Sequence, residues 1–253
     1  MGMGDELMAL GTAREIHKQT GKKVCIVDAS GRPRKHELFE NVSFLQQTLG
    51  PNIEIFKAHS GNGRPYFSQL APDRFHFKEF KPTPGYIAFS SADLAFAAKL
   101  EQPTVILEPN YKNAISVDNK DWGLERWQEL ANLCANSGIR VHQIGQNPHP
   151  QRLLKEAVYL HTPTFKQAAA VLARAKTAVL PEGGLHHAAA ALGIRAVVIY
   201  GGFISPKQTG YDMHINLFTG TEPCGSRKSC EHCRASMAKI TPEEVFEHLK
   251  TLL

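Results

Sequence analysis

The amino-acid sequence contains no long apolar segment. Its apolar runs, for example residues 188–192 and 196–200, are separated by Gly193 and Arg195, whereas a helix that crosses a bilayer needs roughly 20 consecutive apolar residues. The opening residues, MGMGDELMALG, also lack the lysine or arginine that begins a signal peptide. We therefore expect a protein without an integral membrane segment and, by default, a cytoplasmic one.

Cysteine is scarce, and positive charge is only mildly in excess. The 253 residues include five cysteines, an odd number that disfavours a disulfide framework in a cytoplasmic protein. The net charge of +5 suits an anionic ligand such as a nucleotide, a phosphorylated sugar or a lipid headgroup. It falls short of the dense basic stripe of a nucleic-acid binder, so nucleic acid is not an expected partner. Basic residues crowd the first forty positions, either as one basic rim or as solvated surface: Arg14, Lys18, Lys22, Lys23, Arg32, Arg34 and Lys35.

Apolar patterning after residue 102 indicates an α/β fold. Short apolar runs typical of buried strands lie at 104–107, 141–144, 177–180 and 196–200. Helical patterns lie between them at 122–134, 165–175 and 185–192. This alternation predicts a parallel sheet covered by helices on both faces.

The first ninety residues have a different texture. Residues 5–20 predict a helix and residues 24–27 a short strand. Residues 50–84 are rich in glycine, proline, asparagine and aromatic residues and predict loops with short strands. A helix with Ser91 as its cap follows, and a helix capped by Thr241 closes the chain.

The segment GMGD contains the first residues that could carry chemistry. Gly2 and Gly4 stand just before a helical pattern, where glycine allows close backbone approach and helix-start amides attract negative charge. Asp5 has two open interpretations. It either caps the helix or acts as a general base.

A second motif, LPEGGLHHAAAALG at 180–193, joins a strand to a helix. Gly183 and Gly184 form a close turn at the sheet edge where ligands of α/β proteins bind, and the helix-start amides suit a diphosphate. Glu182 could accept hydrogen bonds from ribose hydroxyls or amides, and either His186 or His187 could face the ligand. The alternative is a tight strand-to-helix turn with a packed, alanine-rich helix.

Three cysteines lie within ten residues near the end of the chain. Cys224, Cys230 and Cys233 could supply three zinc ligands, with His232 or His214 as the fourth. The alternative is a set of free or partly buried thiols. The remaining cysteines, Cys25 and Cys134, fall in a predicted strand and helix and are expected in the core.

Taken together, the motifs resemble glycosyltransferase family 9, the ADP-heptose lipopolysaccharide heptosyltransferases. The likeness rests on GMGD, on NKDWGLERWQELANLC, on EGGLHHAAAALG followed by VVIYGGFISPKQTGY, and on the tail CGSRKSCEHCRASMAKITPEEV. It implies a GT-B fold, in which two Rossmann-like domains face a cleft. It also implies transfer of a heptose or hexose from a nucleotide diphosphate to a hydroxyl, with inversion and with no required metal, and the sequence has no DxD motif.

The resemblance assigns roles to particular residues. Asp5 would deprotonate the acceptor hydroxyl, with Gly2 and Gly4 in its loop on the acceptor side. Lys120 would neutralise the donor diphosphate. The other donor-side residues would be Glu182, where the family usually has Asp, Gly183, Gly184, His187, Gly201, Ser205 and Thr209.

The same resemblance implies the domain organisation. Residues 1–92 would form a reduced acceptor domain and residues 93–253 the donor domain, with the last helix able to pack back on the first domain. Only Met1 precedes GMGD, where family members have a first strand. The sequence therefore predicts either a missing strand or one supplied from elsewhere.

Partners and alternatives follow from this interpretation. The expected partners are a nucleotide-sugar donor and a glycan or lipid-linked acceptor, and the expected location is the cytoplasm, either free or peripheral at the inner membrane. A binding protein that keeps the nucleotide pocket but not catalysis is one alternative, and a transferase that modifies nucleic acid is another. An epimerase would need a second acid near the donor, and no clear pair is present.

Overall fold

The computed structural model describes residues 2–58, 64–109 and 117–253. The helices are α1 Met3–Thr20, α2 Ser91–Lys99, α3 Leu124–Asn136, α4 Phe165–Leu172, α5 Gly184–Leu192, α6 Pro206–Thr209, α7 Glu231–Ala238 and α8 Pro242–Lys250. The strands are β1 Lys23–Val27, β2 Ile53–Lys57, β3 Phe67–Ala71, β4 Arg74–Phe77, β5 Val105–Leu107, β6 Val141–Gly145, β7 Ala157–His161, β8 Thr177–Pro181, β9 Ala196–Tyr200 and β10 Ile215–Phe218. Short 3-10 turns occur at Glu37–Phe39 and Val117–Lys120.

A six-stranded sheet organises the C-terminal part of the chain, with the order β10-β9-β8-β5-β6-β7. Every neighbouring pair in it is parallel. Successive side chains of a strand point to opposite faces. On β9, Val198 and Tyr200 join one core with α1, α4 and α5, whereas Val197 and Ile199 join another with α3 and α8. The expected parallel sheet, covered on both faces, is confirmed.

The N-terminal part contains much less sheet. Strands β1 and β2 form a two-stranded parallel pair, and β3 and β4 form an antiparallel hairpin. The described residues of 1–92 therefore do not build a second Rossmann-like sheet of their own. Helix α1 instead packs on α5, and its buried Leu7 and Leu10 share one apolar core with Leu185.

The structure corrects several predicted boundaries. Ser90, and not Ser91, caps α2, because its hydroxyl accepts a hydrogen bond from Asp93 N at 3.1 Å. Helix α3 begins at Leu124, after Gly123 adopts a left-handed φ of +94°. Helix α4 ends at Leu172, where the backbone hydrogen bonds change from an i→i+4 to an i→i+3 spacing and form a tighter turn. The cap at Thr241 is confirmed, since its hydroxyl accepts from Glu244 N at 3.2 Å.

The last helix lies on the six-stranded sheet. Helix α8 packs against α3, β8 and β9, and its buried Val245 and Leu249 belong to the core on that face. This packing differs from the expected return to the N-terminal segment, because the apolar face of α8 is already covered by α3 and the sheet. Within the described ranges, no helix is both long and apolar enough to cross a membrane.

Candidate active site

A cavity of about 730 Å³ lies where strands β5, β6 and β8 end. Its walls are formed by the residues after these strands, by the first turn of α1 and by the 3-10 turn before α3. In parallel α/β sheets the carboxyl edge is the usual place for a ligand. The lining includes most of the predicted site residues: Gly2, Gly4, Asp5, Lys120, Glu182, Gly183, Gly184 and His187.

Three predicted donor residues, Gly201, Ser205 and Thr209, do not line this cavity. Gly201 packs against Met237, whose Cγ would lie 2.8 Å from a Cβ at position 201. The Ser205 hydroxyl caps the short helix α6 by accepting from Lys207 N at 3.2 Å. The Thr209 carbonyl accepts from His186, so Thr209 supports the turn at 182–187 without lining the cavity.

Asp5 combines the capping role with a position in the cavity wall. Its Oδ2 accepts a hydrogen bond from Gly2 N at 3.1 Å, as a helix cap does, and lies 3.0 Å from Arg64 Nε. Its Oδ1 accepts from the Tyr66 hydroxyl at 2.6 Å. Burial, followed by the nearby Asp5 carboxylate, raises the pKa of Tyr66 well above its usual value, so this hydroxyl remains a donor. The carboxylate is therefore held by two hydrogen bonds, from Gly2 N and the Tyr66 hydroxyl, and by an ion pair with Arg64.

The turn after β8 is fixed by His186. Its Nδ1 accepts from Gly183 N at 2.9 Å, so the other nitrogen, Nε2, carries the hydrogen and donates to the Thr209 carbonyl at 2.9 Å. The next histidine, His187, stacks on it with ring centroids 3.9 Å apart and contacts the Tyr211 hydroxyl through Nδ1 at 2.7 Å. Of the two, His187 lines the cavity.

Burial makes the histidines of this region neutral. It lowers the pKa of His186, although Glu182 and the contacts with Thr209 and Gly183 act in the opposite direction. It lowers the pKa of His187 well below the usual value and that of His214 to about 4. These side chains therefore act at neutral pH as hydrogen-bonding groups without charge.

Lys120 and Glu182 form an ion pair at the cavity wall. Glu182 is buried, and Lys120 is partly exposed, with its Nζ 5.1 Å from the centre of the Phe203 ring. Burial alone would raise the pKa of Glu182, but the charge and hydrogen bond of the Lys120 ammonium hold it below the ordinary value. Glu182 was expected to contact ribose hydroxyls or amides, and in the structure it contacts Lys120.

The three clustered cysteines lie together. Cys224 Sγ is 3.2 Å from Cys233 Sγ and 3.7 Å from Cys230 Sγ. The hydrogen bond from the Cys233 thiol lowers the pKa of Cys224 to about 5, although burial opposes the shift. Neither expected fourth ligand joins them: His232 contacts the Glu222 carbonyl at 2.8 Å, and His214 contacts the His186 carbonyl at 3.2 Å. The other cysteines, Cys25 and Cys134, are buried as expected.

Sequence reasoning missed several residues around the cavity. Arg64 and Tyr66 hold Asp5 from a segment whose sequence predicts only loops with short strands. Arg152 forms a paired contact with Asp121, with two nitrogen–oxygen distances of 2.8 and 2.9 Å. Their partners lie far away in sequence, so no local spacing could reveal them. The only feature in the sequence that pointed to Asn119 was its position directly before the predicted site residue Lys120.

Comparison with known proteins identifies a family for this chain. The model of "Glycosyltransferase family 9 (heptosyltransferase)" matches residues 69–237. The chain is 35% identical over 149 residues to lipopolysaccharide heptosyltransferase 1 of Escherichia coli K12, a match that covers 56% of this chain and 43% of that protein. The corresponding Salmonella typhimurium LT2 protein is 31% identical over 98 residues, which cover 36% of this chain and 31% of its own. The chain thus spans less than half the length of these relatives.

Two solved structures share the fold. The family 9 glycosyl transferase from Veillonella parvula DSM 2008 has a TM-score of 0.64 and 14% identity, with 100% of this chain and 94% of that chain covered. The dodecameric, iron-containing glycosyltransferase TibC from enterotoxigenic E. coli H10407 has a TM-score of 0.51 and 18% identity, with 68% and 49% covered. Because the family model matches more than half of the chain, this protein belongs to glycosyltransferase family 9.

Proposed function

We propose that this protein transfers a sugar of heptose or hexose type from a nucleotide diphosphate donor to a hydroxyl acceptor in lipopolysaccharide assembly. One observation carries the proposal. The start of α5, the Lys120 ammonium and the Asp5 carboxylate line a single cavity. Its volume of about 730 Å³ lies within the range of roughly 300–1,000 Å³ that is common for small-molecule sites.

The donor diphosphate would lie against the first turn of α5. Amides at a helix start have no partner within the helix and attract anions. The Gly183 amide is already engaged by His186, which leaves the amides that follow it for a phosphate. A Cβ at Gly183 would meet only the Pro181 carbonyl oxygen, at 3.9 Å. The fold therefore does not require a glycine at position 183, and the missing side chain is consistent with a ligand that occupies this space.

Lys120 would contact the same phosphates. Its ammonium group has three hydrogens, and the contact with Glu182 uses only part of this capacity. As the bond between the sugar C1 and the diphosphate oxygen breaks, the leaving group gains negative charge. Lys120 and the α5 amides would stabilise that charge, so the proposed transfer needs no metal.

Asp5 would act as the base. It would accept the proton of the acceptor hydroxyl while the acceptor oxygen bonds to the sugar C1 on the face opposite the leaving diphosphate, which inverts the configuration. A second cavity of about 200 Å³ shares Asp5, Met8 and Tyr66 with the first and also contains Arg34 and Arg64. We propose that residues 1–92 are a reduced acceptor domain, that the cleft of a GT-B fold runs past Asp5, and that the acceptor is a glycan or lipid-linked saccharide at the cytoplasmic face of the inner membrane.

The contacts of Asp5 favour one alternative. Both carboxylate oxygens already accept hydrogen bonds, from Gly2 N and the Tyr66 hydroxyl. A base must release at least one such contact to take a proton. If it does not, the protein would be a non-catalytic nucleotide-sugar binding protein.

One experiment separates these functions. The protein is mixed with ADP-heptose, with and without a lipopolysaccharide core acceptor that lacks heptose, and both ADP release and acceptor mass are measured. We expect acceptor-dependent ADP release and a matching gain in acceptor mass. Calorimetric binding of ADP without either signal would support the binding protein, and the absence of ADP binding would contradict both functions.

We also infer that the cysteine cluster holds a structural metal ion such as zinc or iron. Thiolates around a tetrahedral zinc ion, with bonds of about 2.3 Å, lie roughly 3.8 Å apart. The separations of 3.2 and 3.7 Å and the lowered pKa of Cys224 are consistent with this arrangement. Cys224, Cys230 and Cys233 would bind the ion, which would stiffen residues 224–233. Elemental analysis of the purified protein should find about one metal per chain, and the Cys230→Ser variant should lose it.

A further inference from the structure

Asn119 is a buried amide directly before Lys120, with only 1% of its surface exposed. Its Nδ2 donates to the Ser226 carbonyl at 2.9 Å and to the Lys228 carbonyl at 2.8 Å. Its Oδ1 accepts from Cys230 N at 3.0 Å. Both amide hydrogens and the amide oxygen are thus paired with the backbone of residues 224–233, which we call the cysteine loop.

The cysteine loop is anchored at several other points. Cys224 N donates to the Gly202 carbonyl at 2.8 Å, and Gly225 accepts from Phe75 N on β4 at 2.9 Å. Arg227 N donates to the Asp73 carbonyl at 2.8 Å. Asn119 therefore connects the turn that carries Lys120 to a loop that is already fixed by two other segments.

The turn that carries Lys120 has little structure of its own. It is a 3-10 turn of four residues, Val117–Lys120. After it, Trp122 is fully buried, and its Nε1 donates to the Ile240 carbonyl at 2.9 Å. The Lys120 backbone is thus held from one side by Asn119 and from the other by Trp122.

We propose that Asn119 is a positioning residue, which places the Lys120 ammonium for contact with the donor diphosphate. This inference rests on the proposed role of Lys120. If the hydrogen bonds of Asn119 are lost, Lys120 can occupy more positions, and donor binding must then restrict it again. The effect of Asn119 on the donor should therefore pass entirely through Lys120.

A double-mutant cycle tests this, with ADP as the probe and calorimetry as the measurement. We expect Lys120→Met to weaken ADP binding by about tenfold, because it removes a contact with a charged group, and to reduce the salt dependence of binding. Asn119→Ala should weaken binding to a similar or smaller extent. The double variant should bind no more weakly than Lys120→Met, because without the ammonium there is nothing left to position.

A matched control addresses general destabilisation. Val245→Ala removes buried methyl groups from α8, which contributes no residue to the cavity lining. It should lower the Tm and leave the Kd for ADP unchanged. If Asn119→Ala does not fold, Asn119→Asp takes its place in the cycle, because it keeps the acceptor for Cys230 N but sets an oxygen against the Ser226 and Lys228 carbonyls.

The outcomes distinguish the inference from the proposed function. If the effects of Asn119→Ala and Lys120→Met multiply in the double variant, Asn119 acts independently of Lys120 and the inference is wrong. If Lys120→Met itself leaves ADP affinity and its salt dependence unchanged, the role of Lys120 is wrong and the inference falls with it. An Asn119 variant with native ADP affinity also overturns the inference.

Discussion

Gly4 at the start of α1 lies directly against the imidazole ring of His187 at the start of α5. A Cβ at position 4 would lie 2.9 Å from His187 Nε2 and closer still to Cδ2. The absence of a side chain at Gly4 thus allows the two helix starts, separated by more than 180 residues, to form neighbouring walls of one cavity.

Gly4→Ala should therefore disturb both the fold and the site. The His187 ring is buried and stacked on His186, so it cannot move aside freely. We expect a loss of about 1–3 kcal/mol of stability, as in other overpacked sites, together with weaker ADP binding. Urea unfolding and calorimetry measure the two effects. Gly2→Ala is the control, since its Cβ would meet only Asp5 Oδ2, at 3.7 Å. Equal behaviour of the two variants would contradict this account of Gly4.

Asp5→Asn separates capping from catalysis. Asparagine caps nearly as well as aspartate, but it cannot accept the acceptor proton. We expect transfer to fall by roughly a hundredfold or more, with ADP affinity nearly unchanged. Tyr66→Phe is the control, because it removes one hydrogen bond to Asp5 but keeps the carboxylate. Near-native transfer by Asp5→Asn would exclude Asp5 as the base.

Gly183 is a better position than Gly184 at which to block the donor. A Cβ at Gly184 would lie 3.1 Å from Phe165 Cε2 and 3.3 Å from Met3 Cβ, so a larger side chain there strains the protein. Position 183 is open, and its φ of 172° is extended backbone. We expect Gly183→Val to keep the native Tm and to weaken ADP binding by about tenfold or more, since close approach to a helix start is lost. Native ADP affinity in this variant would place the diphosphate elsewhere.

His214 makes stability depend on pH. Burial lowers its pKa in the folded protein to about 4, from an ordinary value of 6.5. Between these values the unfolded chain binds more protons than the folded one, so stability falls as pH decreases from 6.5 towards 4. From pH 7 to pH 5 the contribution of His214 is about 2 kcal/mol.

Urea unfolding at both pH values measures this effect. His214→Gln removes the titrating group, and its loss of stability between pH 7 and pH 5 should be smaller than that of the native protein by a similar amount. An equal loss in the two proteins would show that His214 does not carry the pH dependence.

Local patterning was sufficient for much of the fold. The predicted strands of the six-stranded sheet, β5, β6, β8 and β9, have apolar runs whose residues alternate between two cores. The glycine turn at 183–184 follows β8 as expected, because a strand, two glycines and a helical pattern are adjacent in sequence. The missed strands β7 and β10 have mixed burial and weaker apolar patterns.

Contacts between distant segments could not be inferred from the sequence. The sequence by itself determined the parallel sheet, the turn at its edge and the residue types that could bind a diphosphate, since these depend on neighbours within one or two turns of chain. Only the tertiary structure decided that Tyr66 holds Asp5, that Glu182 holds Lys120, and that Asn119 ties Lys120 to the cysteine loop. It also decided that Gly201, Ser205 and Thr209 do not line the cavity. Each of these relationships depends on how separate elements pack, and local sequence patterns do not reveal that packing.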